Sequence, residues 1–216
     1  MVFRWWDRWG PLAGILSTVF FITAFAITPN KDTHDPDAEI VAFFGKHSHQ
    51  VASLVSFFLT FGAIFFFVLF LASLRGKLVA AEGEPGRVTA LAYGAGIAAA
   101  AQLLVAFAIF AAPGTSELDT SKFKLDPNTY RFLNNTGYLV FVSAVMTAAL
   151  LVWGASTLAL RTGVLPRWFG WLGLFVGVVL LAAIFFVPIL VLWGWILVAS
   201  ILLLWRPVAA RAPAAS

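Results

Sequence analysis

Three histidines, His34, His47 and His49, share one polar stretch with Asp32, Asp35 and Asp37. Imidazoles and carboxylates together are the donor set of a zinc or copper site, and histidine also titrates near neutrality. His47 and His49 are two positions apart and would diverge on a helix, so they converge on a metal only if Lys46 to His49 is a turn. The three are weak candidates, and no metal site is assigned to them. A second polar set follows helical spacing. His49, Ser53, Ser56 and Thr60 recur at four, three and four positions, which is one helix face. Asn134, Asn135, Tyr138, Ser143 and Thr147 descend another apolar segment from the same end. Gln102, counted at ~1.5 Å per residue, falls at the depth of Thr60 and Thr147. Together these side chains would line a polar notch, open to the outside, that takes the head of an amphiphile. The same groups could instead bond between helices at ~0.6 kcal/mol a contact, or satisfy themselves on their own helix backbone.

Other chemistry is excluded quickly. The chain has no cysteine, which removes disulfides, thiolate ligands and cysteine nucleophiles together. Gly154-Ala155-Ser156-Thr157 imitates a serine nucleophile but has no base at its depth, so its hydroxyls read as packing groups. No HExxH or carboxylate-rich helix offers a metal site, no lysine sits inside an apolar run for a Schiff base, and no histidine sits mid-run for haem. No cofactor is expected. Proton relays and ion pathways need ionisable groups inside the bilayer, and the apolar runs hold none.

Those apolar runs are the elements that must position everything else. Trp9 to Asn30, His47 to Leu74, Val88 to Ser116, Phe132 to Leu160 and Trp168 to Trp205 carry no Asp, Glu, Lys or Arg, and each reaches the ~20 residues that cross a bilayer. Across 216 residues the chain is 61% hydrophobic and 11% charged, against ~45–50% and ~25% in soluble domains. In lipid each segment must satisfy its own backbone, so the runs are helices. As one helix the last run would be about 57 Å long, almost twice the ~30 Å hydrocarbon core. Pro188 is the natural break. The expectation is an all-α polytopic membrane bundle, one domain over residues 1–216, with six transmembrane helices near 10–28, 50–74, 88–112, 134–160, 168–185 and 188–205. Asp35-Pro36-Asp37 and Asp126-Pro127 each signal a helix start. They predict short outer-surface helices and suggest that helices one–two and three–four repeat one hairpin unit. Ala92, Gly96 and Ala100, and the pair Gly173 and Gly177, predict close helix packing.

An even number of spans puts both termini on one side. Arg4, Arg8, Arg75, Lys77, Arg87, Arg161, Arg167, Arg206 and Arg211 fall on that side and outnumber Lys31, Lys46, Lys122, Lys124 and Arg131 opposite. The bias predicts a multi-pass protein of the plasma (cell inner) membrane with cytoplasmic N and C termini. Trp5, Trp6, Trp9, Trp153, Trp168, Trp171 and Trp205 would then anchor at the inner interface. Arg4 and Arg8, ahead of an apolar stretch and Ala24-Phe25-Ala26, also imitate a cleavable secretory signal. The net charge of +4 reflects loop asymmetry, and no nucleic acid partner is expected.

Three stretches carry a family resemblance: Ala80-Ala81-Glu82-Gly83-Glu84-Pro85-Gly86-Arg87, Leu125-Asp126-Pro127 leading to Asn134-Asn135-Thr136-Gly137-Tyr138, and Arg161-Thr162-Gly163-Val164-Leu165-Pro166-Arg167-Trp168-Phe169-Gly170-Trp171-Leu172-Gly173. The chain resembles an uncharacterised family of six-helix integral membrane proteins widespread in actinobacteria. That resemblance implies a fold and no reaction. From its residues the protein reads as non-catalytic, either an accessory or structural subunit of a membrane assembly or a binder of a lipid or hydrophobic small molecule in the outer notch. Its expected partners are membrane lipid and a homo-oligomer or larger membrane complex. Two alternatives stay open: a facilitative transporter or channel, and an outer-face membrane enzyme using His47 and His49 with Asn134.

Overall fold

A computed structural model describes residues 2–120, 122–185 and 187–205, with side chains from Trp9 onward. The side chains of Arg4, Trp5, Trp6 and Arg8, and the residues Arg206 and Arg211, lie outside the described residues. The helices are α1 (Val2–Ile27), α2 (Asp37–Phe44), α3 (His47–Glu82), α4 (Arg87–Asp119), α5 (Pro127–Thr162), α6 (Arg167–Leu181) and α7 (Pro188–Trp205). No strand occurs among the described residues. The chain is an all-α polytopic bundle. Five of the helices, all but α2 and α6, are long and apolar enough to cross a membrane. The helix at the sixth expected span, α6, is apolar but has only 15 residues, and a 3-10 turn over Ala183–Phe185 follows it before Pro188 opens α7.

Helices overrun the charge-free runs where a charge finds a partner at a helix end. The helix α3 carries Arg75 and Lys77 and continues to Glu82. Lys77 is buried, and its ammonium donates to the Leu203 carbonyl at 3.0 Å. That places a cation among the orphan carbonyls at the end of α7, where the helix dipole is negative. Glu82 then serves the next helix. Its carboxylate accepts from the backbone N–H groups of Val88 and Thr89 and from the Thr89 hydroxyl, at 2.6 to 2.9 Å. These are orphan donors of the first turn of α4, so the expected inner loop shrinks to a tight turn.

The two Asp-Pro signals have different outcomes. Asp126 is the N-cap of α5, accepting from Thr129 N–H at 2.8 Å, with Pro127 in the first turn. No surface helix forms there, because the same helix runs unbroken to Thr162. In the first loop a short helix does form, α2, but Pro36 takes the cap position, its carbonyl accepting from Glu39 and Ile40. Asp35 pairs instead with Lys31 at 2.8 Å. The two hairpins therefore differ at this end rather than repeating one unit.

Each long helix packs on its neighbour in sequence, α1 on α3, α3 on α4, α4 on α5, α5 on α6 and α6 on α7, and α7 returns to α1. These six helices thus close into a ring, with α1 an integral wall of it. Aromatic side chains fill the axis. Trp193 stacks on Phe21 at 4.4 Å and meets Phe67 edge-on at 5.7 Å, Phe21 meets Phe107, and Phe107 meets Phe141. All are buried, and offset or edge contacts are the favoured geometry for aromatic pairs. Small residues let the walls close: Ala92 packs under Gly154, and Gly173 and Gly177 face α5. Trp153 turns into the seam between α5 and α6 and donates from Nε1 to the Leu174 carbonyl at 3.1 Å.

Candidate binding cavity

A cavity of about 330 Å³ lies at the end of the bundle away from the termini, within the ~300–1,000 Å³ of small-molecule sites. One wall is Phe25 of α1 with Thr28, Pro29 and Asn30 after it; the others are Phe107, Phe110 and Pro113 of α4, and Tyr130, Asn134, Tyr138 and Phe141 of α5. On α5 these residues are four, four and three apart, a single face that extends about 16 Å along the axis. Polar groups gather at the top of that face, and Phe107 and Phe141 at its foot belong to the aromatic core. Pro113 has no N–H, so the carbonyl of Ile109, one turn earlier in α4, loses its helical donor at this level.

The segment between α1 and α2 is strapped over the start of α5. The Tyr130 hydroxyl donates to the Lys31 carbonyl at 2.5 Å and accepts from Lys31 N–H at 3.3 Å and from Asn134 Nδ2 at 3.4 Å. Arg131 donates to the carbonyls of Thr33 and Asp35 and pairs with Asp37 at 2.8 Å. A small satellite core of Ile40, Phe44, Leu125 and Tyr130 lies beside it. Hydrogen bonds to Asp35 and Glu39 hold the Lys31 ammonium above its ordinary pKa, and the backbone N–H and ring of His34 hold the Asp32 carboxyl below its own. The Lys31 contribution is complete below the usual lysine value and is lost as pH rises through the raised one. That of Asp32 is complete above the usual carboxylate value and is lost as pH falls through the lowered one. Asp32 is exposed and Lys31 partly so, so solvent screening keeps each contribution small.

The Tyr138 hydroxyl donates to the Ile184 carbonyl, which fixes the tip of the α6–α7 hairpin at the level of Tyr138. Above that level α5 rises eight more residues to Tyr130, about 12 Å by helical rise, and no described residue of α6, α7 or the turn between them lines the cavity. The described residues of that tip are apolar and exposed: Ile184, Phe185 and Val187 are 63%, 74% and 62% exposed.

Of the polar residues singled out by spacing, Asn134 and Tyr138 line this cavity. Ser53, Ser56 and Thr60 are buried elsewhere, each bonded to its own helix, to His49, Ser53 and Ser56 carbonyls respectively. Ser53 also sits where Gly114 of α4 makes room for it. Ser143 and Thr147 bond the carbonyls of Val140 and Ser143 in the same way. Asn135 is exposed, and Gln102 lies apart from the cavity with its Oε1 buried and unpartnered. His49 holds the Phe43 carbonyl at 2.7 Å and its ring lies 3.9 Å from that of Phe43. His34 pairs with Asp32 in solvent. Among the described residues no group of three or more His, Cys, Asp or Glu side chains converges on one point.

The cavity's phenylalanines carried no sequence signal, since a Phe facing a ligand and a Phe facing lipid look alike. Pro113, inside an otherwise uninterrupted apolar helix, was the available hint. Compared with protein-family models, with curated proteins and with solved structures, the chain has no match.

Proposed function

We propose that the protein holds a lipid or another hydrophobic small molecule in this cavity and does no chemistry on it. The observation that carries the proposal is the cavity itself, a polar rim over an aromatic floor, beside the exposed apolar tip of the α6–α7 hairpin. A molecule with a polar head and an apolar tail matches that gradient. Beneath the floor the ring axis is filled by Phe21, Phe67 and Trp193, so the site is a cup and not a passage, which favours binding over transport. The six-helix family that the loop motifs resemble has no established activity and leaves this reading unchanged.

Native mass spectrometry of protein extracted in mild detergent tests it. Wild type should carry a small-molecule adduct, and Asn134→Trp, which fills the rim, should lose it. An adduct equally abundant on both proteins, or none on wild type after exposure to total membrane lipid, would sink the proposal. We further propose that the cavity faces outward, with the termini cytoplasmic, on the lysine and arginine bias of the loops. The chain has no cysteine, so single cysteines report orientation directly. Lys122→Cys should react with an impermeant maleimide applied to intact cells and Glu84→Cys should not; the reverse pattern would invert the topology.

A further inference from the structure

We infer that the head bound in the cavity is a flat, uncharged ring bearing carbonyl or hydroxyl oxygens on an aliphatic tail, the chemistry of a membrane quinone. The inference rests on the proposal that the cavity binds a ligand, and it names the ligand's class. Charge is the first discriminator. The nearby ionic groups are spent on the strap, Lys31 with Asp35 and Glu39, and Arg131 with Asp37, and none of them lines the cavity. A phosphate head would enter without a cation to meet it and would bear the full cost of desolvation. An uncharged head does not.

Shape is the second discriminator. Phe107, Phe110, Tyr138 and Phe141 bring ring faces and edges to the lower wall, with Phe110 and Tyr138 flanking the core pair Phe107 and Phe141. A flat ring can stack or tilt against them, as aromatic pairs do; a glycerol head presents no such face. Hydrogen bonding is the third. The Asn30 carboxamide bonds no other described residue, and Asn134 spends one Nδ2 hydrogen on Tyr130 and keeps the other together with its Oδ1. A carboxamide both donates and accepts, so it can serve a ring carbonyl or the hydroxyl that replaces it on reduction. The tail has its own exit, across Ile184, Phe185 and Val187 into the bilayer.

The test uses the full chain in nanodiscs of phosphatidylcholine, titrated with a naphthoquinone carrying a short prenyl tail and followed by isothermal calorimetry. Saturable one-to-one binding is expected, weakened about tenfold by Asn30→Ala and by Asn134→Leu, the loss of one hydrogen bond each. Phe110→Leu should weaken it as well. Because Asn30 is exposed and lies outside the helices, Asn30→Ala keeps the test open should a helix variant fail to fold. Dioleoylglycerol binding as tightly as the quinone, and weakened by the same variants, would overturn the ring assignment and leave the cavity as a lipid site. Quinone uptake unchanged in every variant would mean partition into the bilayer and would also overturn it. If no probe binds folded wild type, the ring assignment and the binding function fall together.

Discussion

Replacing Trp193 by alanine should destabilise the bundle by about 3 kcal/mol or more, the range for removing a large aromatic side chain from a packed core. Trp193 is 1% exposed and joins three walls of the ring, stacking on Phe21 of α1 and meeting Phe67 of α3 from its own place on α7. Between helices in lipid, packing replaces the hydrophobic effect as the source of association, so the lost contacts have no substitute. Trp193→Phe should behave differently. The indole N–H has no acceptor where it is buried, and an unpartnered buried donor is itself a cost of ~1–3 kcal/mol. Phenylalanine keeps a ring in the stack and removes that donor, so its thermal midpoint in detergent should stay near wild type. Equal losses in the two variants would show that the N–H, not the packing, is what matters at this position.

The second large effect is expected at Gly177, where leucine should cost about 3 kcal/mol and lower the yield of monodisperse protein, since overpacking forces side chains and backbone to shift. A Cβ at Gly177 would stand 2.1 Å from Trp153 Nε1 and 2.3 Å from its Cδ1. Trp153 cannot simply withdraw, because its N–H is committed across the seam to the Leu174 carbonyl of α6. One turn earlier a Cβ at Gly173 would stand 1.9 Å from Ser156 Oγ, so the whole seam is set for glycine. Val178, the next residue of α6 and 60% exposed, provides the control: Val178→Leu should leave the midpoint unchanged. A Gly177→Leu protein as stable as wild type would mean that α5 and α6 are not packed this closely. This seam lies inside one chain, so these small residues are occupied and are not free to join a second copy.

Much of the architecture was legible because charge and length are one-dimensional properties. Absence of charge located the spans, and the excess length of the last run together with Pro188 located the hairpin between α6 and α7. Helix ends were less legible. Lys77 and Glu82 read as loop residues, yet each lies in a helix because a partner waits for it, the Leu203 carbonyl and the first turn of α4. Facing was the least legible. In a soluble helix the polar face marks the outside, whereas here the outward and inward faces are both apolar, as with exposed Phe58 and buried Phe67 on α3. Polar spacing found Asn134 and Tyr138 but could not separate them from Ser56 or Thr60, whose hydroxyls are satisfied by the turn behind them. The wall supplied by α1 depends on α7 closing the ring, and no local pattern encodes that.

Ring order also governs the sequence of assembly. Every extensive interface but one joins helices adjacent along the chain, so a chain inserted from its N-terminus can form each of those as soon as its second partner arrives, with short loops to close and little entropy to lose. Only the joint between α1 and α7 must wait for the whole length. Until then α1 has one protein neighbour in the ring, α3, and its other flank lies against lipid. The Phe21–Trp193 stack belongs to that last joint, so the plug beneath the floor of the cavity is completed only when synthesis of the final helix is done.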